Sequence, residues 1–166
     1  MRFDNLSDLP EWDDDDFRDE EGEEWKPNPT REACKKLYSQ WQQVMVMLNG
    51  AIQTMQIPES AEEPSFPKDY WDDYTGMMLG DAYQVAAKIK SSETGLYIIR
   101  MENAAIIRKC AQYIYSALLT MRAENVVSEE YVAAIRNEID IFRELFKEWV
   151  GTFEKDEYTD EWGLFV

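Results

Sequence analysis

The sequence predicts an all-α fold, an antiparallel up-and-down four-helix bundle with acidic N- and C-terminal arms. Three observations predict it. Four segments repeat apolar residues at alternating spacings of three and four, the pattern of a helix that buries one stripe. Their lengths are similar and most links are short, which makes consecutive helices antiparallel neighbours. The acid is gathered at the ends: residues 1–28 hold twelve acidic side chains against three basic ones, and residues 154–166 hold five against one. Of the whole-chain net charge of −17, only −4 therefore falls on residues 29–153, the span predicted to be the bundle.

The first helix is predicted over 29–57, with a seam running through Cys34, Leu37, Tyr38, Trp41, Val44, Met45, Leu48, Ala51, Ile52 and Met55. Asn28 before Pro29 supplies an N-cap side chain followed by the residue best suited to a first helical turn, and Pro58 stops the helix. Residues 37–58 carry no charge, yet Gln40, Gln42, Gln43, Asn49, Gln53 and Gln56 interrupt them too often for a membrane span. The outward stripe of this helix, which includes Gln42, Gln43, Val46, Asn49 and Gln53, is uncharged in a chain otherwise rich in charge. Exposed helical faces normally carry charge. This one is expected to be covered by an arm or by another protein chain, which makes those five residues candidates for self-association and a homodimer possible.

The second helix, predicted over 67–90, places Trp71, Tyr74, Met78, Ala82, Val85 and Ile89 on one face, and Ser91, Ser92, Thr94 and Gly95 then break the pattern. Gly50 in the first helix and Gly76 and Gly80 in the second each cost about 1 kcal/mol relative to alanine, so a close neighbour is expected beside each. The third helix, over 96–123, is apolar around more of its circumference and is expected at the centre of the bundle. Asn103 falls in its inward register. That amide either fixes the register of the bundle or, with Arg100 and Glu102, lines a small-molecule pocket between helices. The fourth helix begins after Ser128, an N-cap followed by Glu129 and Glu130, where the helix dipole favours negative charge. Val132, Ile135, Ile139, Phe142, Phe146, Trp149 and Phe153 then recur at strict three- and four-residue steps.

The chain has no histidine, which removes the usual general base, the Ser-His and Cys-His nucleophile pairs and the common zinc and haem ligands. It has no glycine-rich phosphate cradle either, and no cofactor is expected. Carboxylates remain the one route to a cation. Asp69 and Asp73 share a helical face, with Asp72 and Asp81 on the same helix and Glu138, Asp140 and Glu144 on the fourth, but charges flanking a seam usually form a solvated face. Cys34 and Cys110 each lie in an apolar register and are expected as buried free thiols. The absence of a basic segment followed by an apolar one near residue 1 leads us to expect a cytoplasmic location.

Function is expected at the arms. The first arm, 1–28, sets Trp12, Phe17 and Trp25 among acids that include Asp13, Asp14, Asp15 and Asp16; the second, 154–166, carries Trp162 and Phe165. Alternating acids and rings suit a basic, apolar-lined groove on a protein partner, the charge steering approach and the rings anchoring it. The same charge repels nucleic-acid phosphates and anionic membranes. The expected function is a non-enzymatic interaction module that binds a basic protein through its arms or self-associates through the first helix. The alternative is a bundle with a small-molecule or Mg²⁺ site between helices.

Overall fold

A computed structural model describes residues 9–14, 28–58 and 66–166. Four helices make up the bundle: α1 (Pro29–Gln53), α2 (Lys68–Ser91), α3 (Tyr97–Ala123) and α4 (Glu129–Gly151). α1 and α4 start where a local side chain caps them. Asn28 accepts a hydrogen bond from the Arg31 backbone N–H at 3.0 Å, with Pro29 in the first turn. Ser128 accepts from the Tyr131 N–H at 3.2 Å. α2 and α3 begin after Pro67 and Leu96, which offer no capping side chain.

The predicted end of the first helix is corrected. α1 stops at Gln53, four residues short of Ile57. The Thr54 hydroxyl donates to the Gly50 carbonyl at 2.8 Å, a local bond that competes with continued helix. The Gln56 N–H then pairs with the Val126 carbonyl on the α3–α4 turn at 3.1 Å, so Met55 and Ile57 pack on the core from non-helical backbone. Pro58, Pro64 and the acids Glu59, Glu62 and Glu63 predict an extended link over 58–66, which apart from its ends lies outside the described residues.

The helices stand in a square. α1 touches α2 and α4, and α3 touches the same two, with the most extensive packing between α1 and α4 and between α2 and α3. The expectation that the third helix is central is therefore wrong. Diagonal partners do not meet, and Ile99 and Leu119 stand 41% and 36% exposed on the outside of α3. Wide apolar coverage there reflects surface hydrophobes rather than burial on every side.

The core contains Trp41, whose indole N–H donates to the Ala82 carbonyl at 2.8 Å and whose ring lies 4.7 Å from that of Phe142. Trp149 stacks edge-on against Phe153 at 4.7 Å. Burying a tryptophan with its N–H satisfied gains apolar contact without an orphaned donor. Cys34 and Cys110 are free and buried, as expected. Among the described residues no helix is long and apolar enough to cross a membrane.

Candidate functional site: the acidic arms and the faces they meet

The described part of the first arm, residues 9–14, lies on the bundle over α1 and α2. The Tyr38 hydroxyl donates to the Pro10 carbonyl at 2.6 Å, and the Trp12 ring meets the Tyr38 ring edge-on at 5.9 Å. Lys90 donates to the Glu11 carbonyl at 3.3 Å and also lies over the Tyr38 ring. Lys35 pairs with Asp14 at 3.0 Å, and the Trp12 indole N–H donates to the same carboxylate at 2.9 Å. The hydrogen bond from Lys35, followed by that from Trp12, holds the Asp14 carboxyl below its ordinary range, while burial pushes the Tyr38 phenol up. Trp12 is thus half-buried against its own bundle, with Asp13 exposed beside it. Asp15, Asp16, Phe17 and Trp25 lie outside the described residues.

The second arm is built differently. Asp156 accepts from the Tyr97 N–H at 2.8 Å and from the Tyr158 N–H at 3.0 Å, so a tail carboxylate caps α3 in place of the missing local cap. Further on, Asp160 accepts from the Leu164 N–H at 2.7 Å and its carbonyl from the Gly163 N–H at 3.1 Å, closing a turn. Gly163 has φ +74°, a backbone region that glycine enters freely. The turn leaves Trp162 89% exposed and Val166 82% exposed, with Leu164 and Phe165 less so.

Asn103 is buried, and its amide donates to Ser92 Oγ at 3.0 Å. Arg100 donates to the Ser92 and Glu93 carbonyls at 2.9 and 2.6 Å. Together they clasp the α2–α3 turn, with Glu102 half-buried on the same helix. Glu93, in that turn, pairs with Arg31 of α1 at 2.7 Å. Sequence periodicity missed this ion pair because Glu93 sits in a loop, where charge is ordinarily solvated.

Asp69 and Asp73 are exposed on α2. The carboxylates of α4 lie on the diagonal helix, Asp140 paired with Arg143 at 2.8 Å and Glu144 with Lys147 at 2.7 Å, so the two sets are kept apart. Among the described residues no group of three or more potential ligands comes together. On α1, Gln43, Val46 and Gln53 are exposed and Gln42 and Asn49 half-buried; the described part of the first arm lies over Tyr38 and Lys35 instead. Gly50 has its close neighbour, since a Cβ there would sit 2.5 Å from the Tyr131 hydroxyl. Gly76 and Gly80 do not: among the described residues nothing lies within 4 Å of a Cβ at either.

No protein-family model, curated protein or solved structure matches this chain. The fold and these surfaces define a class, an acidic antiparallel four-helix bundle with one arm segment docked and one displayed.

Proposed function

We propose that the chain is a non-enzymatic protein-interaction module that binds a basic protein partner through its acidic arms, the displayed tail foremost. The observation that carries this reading is Trp162, 89% exposed beside the exposed Glu161 in a turn closed by Asp160. An indole surrounded by water is costly unless a partner covers it, and tryptophan is the residue most enriched at interaction hot spots. Net charge of −17 steers basic proteins toward the chain and repels nucleic acid and anionic membrane. Buried free thiols suit a reducing compartment, so a cytoplasmic location belongs to the same reading.

A second surface has its own support. Val46 is 47% exposed in the middle of the uncharged α1 stripe, and association of two copies there avoids the like-charge repulsion of other faces. Both ideas are tested by affinity purification at about 0.05 and 0.5 M salt, since screening shortens as salt rises. Wild type should retain a basic protein at low salt and release it at high salt, and Trp162→Ala or neutralisation of Asp13 to Asp16 should abolish retention. Retention that neither change affects removes the arm hypothesis. Val46→Glu should abolish any α1-mediated dimer seen by sedimentation without altering retention.

A further inference from the structure

The square arrangement leaves a shallow groove of about 50 Å³ between α3 and α4, floored by Ala111, Ile139, Phe142 and Phe146 and flanked by Arg108 and Arg143. Since a single water occupies about 10–15 Å³ on this measure, the groove holds one apolar side-chain edge rather than a metabolite. Its rim is basic in a chain that is otherwise strongly acidic. Arg136 stacks on the Tyr115 ring at 3.6 Å and donates to the Tyr115 carbonyl at 2.9 Å, while Arg143 lies 5.0 Å from the same ring. One carboxylate, Asp140, pairs with Arg143 at 2.8 Å, on a pair roughly half exposed.

A floor of aliphatic and phenyl groups under a guanidinium rim suits an acidic segment that bears a large ring. The opposite side of the square already shows that chemistry in use. There Lys35, Lys90 and Tyr38 hold the Pro10, Glu11, Trp12 and Asp14 segment by ion pair, carbonyl contact and ring packing. The tail offers the equivalent ligand in Glu161 and Trp162, but its own attachment at Asp156 and Tyr97 holds it at the N-terminal end of α3.

We propose that the α3–α4 groove receives the acidic, Trp162-bearing tail of a second copy of this chain, the indole over the apolar floor and Glu161 against Arg108 and Arg143. Reciprocal exchange closes a two-fold dimer. The inference rests on the tail displayed in the reading above but assigns it a receptor of its own.

The test is fluorescence anisotropy with a labelled, acetylated and amidated peptide of residues 154–166 titrated into the full chain. Saturable binding is expected, weakened about tenfold or more, the equivalent of about 1.4 kcal/mol, by Trp162→Ala in the peptide and by Arg108→Glu with Arg143→Glu in the chain. Binding that the two arginine changes leave within about twofold, or no saturation by about 1 mM chain, overturns the proposal. Should the arginine variant lose its helical circular dichroism, a photo-crosslinking residue at peptide position 162 decides instead: crosslinks to α3 and α4 around the groove are required, and crosslinks elsewhere refute it. Retention of a basic partner must survive the arginine changes. Absence of saturable peptide binding to the unsubstituted chain, with retention intact, sinks this proposal alone, and absence of retention by the unsubstituted chain, with peptide binding intact, sinks the preceding one alone.

Discussion

The Arg31 guanidinium lies 2.7 Å from the Glu93 carboxylate, joining the first turn of α1 to the α2–α3 turn, with the Glu93 side chain 1% exposed. A buried pair of this kind contributes little net stability compared with apolar replacements, yet removing one member takes a charge partner from the other in a poor solvent. Arg31→Met is therefore expected to lower the unfolding free energy by about 3–5 kcal/mol, read by urea denaturation. Arg31→Met with Glu93→Leu should recover much of that loss. Equal destabilisation in single and double variants would contradict the account.

The glycines give predictions of opposite sign. Gly50→Ala gains about 1 kcal/mol of helix propensity but drives a methyl into the Tyr131 hydroxyl, 2.5 Å away, so the gain is cancelled and a net loss of up to about 2 kcal/mol is expected. Removing that hydroxyl with Tyr131→Phe should relieve part of it. Gly76→Ala and Gly80→Ala meet open space among the described residues and should each stabilise by about 1 kcal/mol. Thermal denaturation of the three variants decides the matter.

Asp156 caps α3 from the tail, and Asp156→Ala should cost about 0.5–2 kcal/mol, the usual value of an N-cap. The loss has a local signature. Amide hydrogen exchange should quicken at Tyr97 and the next turn while the middle of α3 stays protected; unchanged exchange at Tyr97 would show that the cap is dispensable.

Stability should decline on the alkaline side. Burial, followed by the charge of Asp81, pushes the Cys110 thiol up to about 11 from its ordinary 9.0, and burial raises Cys34 further and the Tyr113 and Tyr38 phenols as well. Between about pH 9 and 11 the unfolded chain sheds thiol protons that the folded chain keeps, so the folded state loses relative stability as pH rises through that window. The urea midpoint at pH 10 should lie below that at pH 8, and Cys110→Ala should flatten the slope. A midpoint that is constant over this window would refute the assignment.

Helix identity was legible in the sequence because burial of one stripe imposes a spacing that survives in the letters, as with Val132, Ile135, Ile139 and Phe142 on α4. The local start signals at Asn28 and Ser128 were legible for the same reason, each acting within three residues. The end of α1 was not, since it depends on Gln56 reaching Val126, seventy positions away. The basic groove was equally hidden, because Arg108 and Arg143 look like ordinary surface charge until α3 and α4 are set side by side.

By itself the sequence determined the class of fold, the four rods, two of their caps and the concentration of acid at the two ends; each depends on chemistry within a few residues. Only the tertiary structure decided which helices meet, that Asn103 bonds Ser92 in the α2–α3 turn, that Trp12 lies on Tyr38, and that Trp162 stands in water. Those outcomes depend on pairings between distant residues, where burial, charge and chain closure compete and no short-range pattern records the winner.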